Sequence, residues 1–203
     1  MESDQQIIHY LEEVADVLVE LQVTAPFFLL ITGGAYMMLN HKRGFTEDID
    51  FALVEQPPFL PQHNQVFQIN VMSAEVFRAQ STIPFAAEFR QAVLSVAQRH
   101  PGLAKDWLND EAAEYYYDDA PRPDVTFWRS FQDVLSVYLP TPAYVFATKI
   151  AASRPKDERD IQILLHDLNI TTRADAKAII DHFLLPDAQA FWQVEENLDL
   201  LFP

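Results

Sequence analysis

Asp48 and Asp50 stand two residues apart, with Ile49 between them, shortly after the paired glycines Gly33 and Gly34. The chain has 4 glycines, and Gly33, Gly34 and Gly44 are three of them. Side chains at i and i+2 of an extended strand share a face. Two carboxylates held that way repel each other unless a cation sits between them. Mg²⁺ suits such a pair, because it takes one or two carboxylates and fills its remaining positions with water and phosphate oxygens. A glycine pair that ends a strand and opens a helix has no Cβ to block a phosphate, and it turns amide groups toward it. Taken singly, each feature has an ordinary alternative: Gly-Gly is a common turn, and an Asp-x-Asp at a strand edge is usually solvated. The arrangement within one short unit gives them weight: apolar strand, Gly-Gly, short helix, then Asp-apolar-Asp on a second strand.

The periodicities supply the elements that would hold these residues. Ile7, Leu11, Val14, Leu18 and Leu21 recur at helical spacing and predict an amphipathic helix over 4–22. Phe27 to Thr32 reads as a buried strand, the segment after the glycines as a short helix, Arg43-Gly44 as a turn, and Asp48 to Val54 as a second strand. Val66 to Val71 alternates like a third. Pro84 at a first helical position, with Phe85, Phe89, Val93 and Val96 on one stripe, predicts a helix to Arg99 that Pro101-Gly102 stops. Leu103 to Phe131 gives no clear pattern. Asp133 to Leu139 reads as a strand, and Thr141-Pro142 as the cap and first residue of an apolar helix. Three further helices are expected over Asp157 to Asp167, Thr172 to Leu184 (with a Thr172–Asp175 capping box) and Asp187 to Leu201. The order predicts a mixed α/β (α+β) fold in one domain, 1–203. A small mixed sheet with an N-terminal helix would occupy 1–139, and a helical part over 140–203 would pack on it.

Composition bounds the partners. With 14 Lys+Arg against 30 Asp+Glu the formal charge is −16, so most of the surface repels a long phosphate backbone. Contact with nucleic acid must be local and assisted by metal ions, and a basic protein partner is easier to accommodate. The absence of Cys excludes disulfides and thiolate metal sites, and no stretch has the length of a membrane span, so a cytoplasmic protein is expected. The 6 histidines show no ligand spacing such as H-x-x-x-H.

Thr32-Gly33-Gly34, a spacer, then Asp48-Ile49-Asp50-Phe51 resembles the signature of the minimal nucleotidyltransferase superfamily, the polymerase-β-like fold. The form "GGAYMML…RGFTEDID" is closer to its toxin-like AbiEii branch, found in abortive-infection and toxin–antitoxin loci. The later block "YVFATKIAASRPKDERDIQILL" resembles that branch's second motif at Lys149, Arg154, Lys156, Asp157 and Asp160, and "DWLND", Asp106 to Asp110, resembles a recurring segment within it.

The resemblance implies transfer of a nucleoside monophosphate from an NTP to an RNA end, such as that of a tRNA, or to a protein hydroxyl, with release of pyrophosphate. On that reading Asp48 and Asp50 bind Mg²⁺ or Mn²⁺, and Gly33, Gly34, Arg43 and Thr46 contact the nucleotide. Lys149 neutralises phosphate charge, while Arg154, Lys156, Asp157 and Asp160 support it. A neighbouring antitoxin would be the partner on that reading; the acidic surface separately suits a basic protein partner.

Some of these residues have structural alternatives. Lys149, the one charge in an apolar helix, could pack its stem and send its ammonium outward. Asp157 could cap the helix after Pro155. Tyr115-Tyr116-Tyr117 could stack a base or form a partly buried aromatic edge. A third carboxylate, usual in active members of the superfamily, is not evident: Gln68 and Asn70 are amides, and Asp133 and Asp124 are the remaining candidates. The alternative function is therefore a degenerate site on a binding module whose acidic surface recruits a basic partner.

Overall fold

The computed structural model describes residues 1–59, 61–62, 65–72, 84–110, 112–113 and 121–203. The first helix, α1 (Asp4–Glu20), is capped by Ser3, whose side chain accepts from the Gln6 amide, and it buries Ile7, Leu11, Val14 and Leu18 on one face. Five residues of unbroken apolar sequence form β1 (Phe27–Ile31). The glycines then begin α2 (Gly33–Leu39) rather than preceding it, with Gly33 at φ +61° as the bend itself. After a loop come β2 (Ile49–Leu53) and the short β3 (Val66–Gln68). The latter is half the expected length: beyond it the chain leaves β5, and Val71 forms an isolated antiparallel bridge with Val54. The helix α3 (Pro84–Arg99) has the predicted limits, and Phe89, Val93 and Val96 are buried along it.

Two strands in the unreadable middle were not expected: β4 (Leu108–Asn109) and β5 (Asp124–Phe131). With β6 (Leu135–Pro140) they complete a six-stranded sheet in the order β3-β5-β6-β1-β2-β4. β6 is parallel to β1, β4 is parallel to β2, and the other neighbours are antiparallel. The fold is thus mixed α/β, as the element order predicts. Phe89 of α3 packs on Phe27 and Phe51, at ring-centroid distances of 4.7 and 5.6 Å, so α3 covers the face shared by those two strands. Phe28, Phe67 and Phe127 gather round Tyr138, at 6.5, 5.8 and 5.7 Å.

The C-terminal part comprises α4 (Pro142–Ala152), a 3₁₀ turn (Pro155–Asp157), α5 (Glu158–Asp167), α6 (Arg173–Phe183), α7 (Pro186–Phe191) and α8 (Val194–Leu201). The Thr172–Asp175 capping box is present. Thr141 holds the N-cap position of α4 in extended conformation, but its side chain makes no capping hydrogen bond. The helix expected over Asp187 to Leu201 is broken in two, with Gln193 at φ +52° between the halves. Buried apolar side chains from Ile7 to Leu198 form one continuous cluster, so both parts of the chain share a core. Among the described residues no helix is long and apolar enough to cross a membrane. Tyr115, Tyr116 and Tyr117 lie outside the described residues.

Candidate functional site

Three stretches far apart in sequence meet at the carboxyl end of β1. The first is the bend. At Gly33 the missing Cβ leaves room for the Asp50 carboxylate: an added Cβ would collide with Oδ2, and the positive φ would strain any other residue. At Gly34 an added Cβ would lie 2.6 Å from Thr46 Oγ1 and 3.2 Å from Arg43 Nη1. Both glycines thus admit the chain's own polar groups, which seats β2 and its preceding loop against the start of α2.

The second stretch is that loop and strand. Thr46 is buried, and its hydroxyl donates to the Asp48 carbonyl at 2.9 Å, fixing the approach to β2. The Thr32 amide donates to the Asp50 carbonyl at 2.9 Å. Ile49 and Phe51 turn into the core, so the pleat sends Asp50 to the opposite face. Asp50 is buried and Asp48 partly exposed. The segment Asp106 to Asp110 supplies β4, which pairs Leu108 with Ile49 and Asn109 with Asp50.

The third stretch is the end of α4 and the turn after it. Ser153 takes a left-handed conformation, φ +46°, and its amide bonds the Lys149 carbonyl at 3.0 Å. This ends the helix and, with Pro155, folds the chain back so that Asp157 returns to Lys149. The Lys149 ammonium is fully buried, 2.5 Å from Asp157 Oδ1 and 2.9 Å from Asp160 Oδ2. Arg154 Nε donates to Asp157 Oδ2 at 2.8 Å, and Arg43 Nη1 donates to Asp160 Oδ2 at 3.1 Å. Burial alone would raise the Asp157 carboxyl, but the charges and hydrogen bonds of Lys149 and Arg154 outweigh it and hold Asp157 below the usual carboxylate range.

A cavity of about 100 Å³ opens where the three meet, lined by Gly34, Arg43, Thr46, Asp48, Asp50, Arg154, Lys156 and Asp157, with Phe45 and Glu47. Eight of the residues singled out from sequence are therefore brought to one place. Gly33 lies behind Asp50. Lys149 and Asp160 stand under the cavity and do not line it, so the ammonium neither reaches solvent nor faces the opening. Asp157 precedes α5 but makes no side-chain capping bond; its carboxylate is committed to Lys149 and Arg154. Phe45 and Glu47 were not foreseen, and nothing but their adjacency to Thr46 could have flagged them.

Neither remaining candidate for a third carboxylate is here. Asp133 sits in the turn between β5 and β6 with φ +56°. The neighbouring Val134 carbonyl accepts from Phe27 N at 2.8 Å, so Asp133 lies at the opposite end of β1, about 20 Å from the bend. Asp124 pairs with Gln68 and is separated from β2 by β6 and β1, about 14 Å at the usual strand spacing. Glu47 and Asp157 are the other acids that line the cavity with Asp48 and Asp50, and both Asp157 oxygens are already bonded, to Lys149 and Arg154. No family model, curated protein or solved structure matches the chain.

Proposed function

We propose that the protein is a metal-dependent nucleotidyltransferase of the polymerase-β-like superfamily, moving a nucleoside monophosphate from an NTP to an RNA or protein acceptor. The observation that carries this reading is the convergence of the Gly-Gly bend, the Asp-Ile-Asp strand and the Arg154–Asp157 turn on one cavity. Asp48 and Asp50 offer the hard carboxylate oxygens that suit Mg²⁺ or Mn²⁺, with water and phosphate oxygens to fill the remaining positions. A divalent ion there supplies positive charge to the phosphate oxygens and to the departing pyrophosphate.

The chain's own residues do the rest. Arg43, Arg154 and Lys156 line the cavity and set cationic groups beside it, although the chain as a whole is strongly acidic. Thr46 and the glycine bend hold the Asp48–Asp50 edge in place. Lys149 acts as a positioning residue, because its two ion pairs fix Asp157 and Asp160, and Asp160 in turn holds Arg43. The cavity is smaller than a usual small-molecule pocket of about 300–1,000 Å³. It therefore receives the polyphosphate end of an NTP and leaves base and acceptor to the surface around it. A role as the toxin of a toxin–antitoxin or phage-defence pair follows from the resemblance; the acidic surface suits a basic protein partner.

The test is NTP-dependent labelling of acceptor with Mg²⁺, using Asp48→Asn/Asp50→Asn. Loss of labelling and of pyrophosphate release, with an unchanged circular dichroism spectrum, is the expected result. Undiminished labelling by the double variant would refute the mechanism. A second reading is favoured by one observation: of the cations at the site, Arg43 is paired with Asp160, Arg154 with Asp157, and Lys149 with both acids, which leaves Lys156 outside this network. Such internal neutralisation suits a degenerate site on a module that recruits a basic partner. Salt-sensitive capture of a basic protein, with no Mg²⁺-dependent NTP binding by calorimetry, would decide for it.

A further inference from the structure

Away from the cavity, two histidines and a glutamate converge in a way their sequence spacing hides. His9 and Glu13 are one turn apart on α1, and His100 follows the last residue of α3. The Nε2 atoms of both imidazoles point at one oxygen, Glu13 Oε1, from 3.0 Å for His9 and 2.8 Å for His100. All three ligand atoms lie within 4.8 Å of one another, and no other trio of His, Asp or Glu among the described residues meets that condition. The other carboxylate oxygen, Glu13 Oε2, is buried with no hydrogen-bond partner, and Arg99 Nη1 stands 3.8 Å from it. Tyr10 and Trp107 back the cluster: the Tyr10 ring lies 4.8 Å from His100 and 5.6 Å from Trp107, between centroids.

We infer that His9, Glu13 and His100 form a binding site for a borderline first-row divalent cation, Zn²⁺ above all, independent of the Asp48–Asp50 cavity. Two imidazoles and one carboxylate are a zinc donor set, with bonds of about 2.0–2.2 Å. Around a tetrahedral ion that places neighbouring ligand atoms about 3.3 Å apart. The two separations to Glu13 Oε1 are a few tenths of an ångström shorter, so to take the ion both imidazoles move slightly away from that oxygen and turn their Nε2 atoms to the metal beside it. The hard Mg²⁺ expected at the cavity prefers all-oxygen ligands, so the two sites select different metals. His9 is the exposed member, its side chain 57% accessible, so the fourth position opens to solvent and takes water or an external ligand. Because the ligands come from α1 and the end of α3, the ion clamps together the two helices that pack against each other in the N-terminal half.

The test titrates the metal-free 203-residue protein with ZnCl₂ by calorimetry and with CoCl₂ by absorption. The wild type should bind one equivalent at micromolar or lower concentration, give the visible Co²⁺ bands of a low-symmetry nitrogen–oxygen site, and gain several degrees in Tm that EDTA removes. His9→Ala, an exposed change that the fold tolerates, and His100→Gln should each weaken Zn²⁺ binding at least tenfold while keeping the wild-type circular dichroism spectrum. Asp48→Asn/Asp50→Asn should bind Zn²⁺ as the wild type does, whatever its effect on NTP chemistry. The inference is overturned if the wild type shows no saturable Zn²⁺ binding, if both histidine variants bind unchanged, or if the aspartate pair alone abolishes binding.

Discussion

Two charged networks in this molecule use the same side-chain types and differ in burial. Beneath the cavity, Lys149, Asp157, Asp160, Arg43 and Arg154 interlock with Lys149 and Asp157 almost wholly out of water. On α6 and α8, Arg173 pairs with Glu195 and with Asp199 at 3.0 Å, and Lys177 pairs with Asp181 and with Glu195 at 3.6 Å, all with substantial solvent contact. Water screens the second network and leaves little to gain from it. In the first, losing buried Lys149 leaves Asp157 and Asp160 short of a cation in a medium that solvates charge poorly. The comparison teaches that a tally of ion pairs says little here. The buried set fixes the geometry of the candidate site, and the exposed set decorates a helix pair.

Lys149→Met should break the contrast most visibly. It preserves volume but leaves two buried carboxylates facing each other with one cation fewer, at a cost of about 3–5 kcal/mol in urea unfolding. A loss no larger than that of a surface variant would mean that the network is solvated after all.

Asp157→Asn comes next. The amide retains shape and some hydrogen bonding but loses the charge-assisted bonds, about 1.5–3 kcal/mol at neutral pH. This variant also sharpens the comparison through pH. Because the folded carboxyl lies below its ordinary value, its stabilising contribution is complete above an unfolded pKa near ~3.9 and is lost as pH falls through the folded value. The wild type should therefore weaken more steeply than Asp157→Asn on acidification below about pH 4, as measured by urea midpoints across that range.

The same contrast can be drawn with glycines. Gly33→Ala meets Asp50 and a positive φ, and should cost about 1–3 kcal/mol. Gly44→Ala, with nothing within 4 Å of its added methyl, should leave the melting temperature unchanged. Lys177→Ala should have the smallest effect, a loss of about 0.5 kcal/mol or less in urea unfolding that shrinks further in high salt.

Local sequence determined a good deal of this molecule by itself. The stripe Ile7–Leu11–Val14–Leu18 dictates α1, since only a helix puts those residues on one face. Pro84 and Pro101-Gly102 bound α3, and Thr172 with Asp175 marks the start of α6. The Gly-Gly and Asp-Ile-Asp pieces and the Lys149–Asp160 block were legible because their residue types are costly to maintain anywhere but at a turn or a charged site. Other features follow from energies that no local pattern records. β5 was missed because its hairpin turns through Gln132 and Asp133, both at positive φ, without the glycine that normally announces such a turn. β4 is two residues long and exists only because β2 lies beside it. The helix break at Gln193 has no proline or glycine to signal it.

Tertiary packing alone decided that Lys149 is neutralised in the interior rather than aimed at the opening. It also decided that Asp157, and not Asp133 or Asp124, joins the aspartate pair, and that His9, Glu13 and His100 meet. Each of these depends on which segments distant in sequence are pressed together and on how far water is driven from between them. Periodicity specifies which face of an element is apolar; the partner that covers that face, and the charges it brings along, emerge only when the whole chain closes around one core.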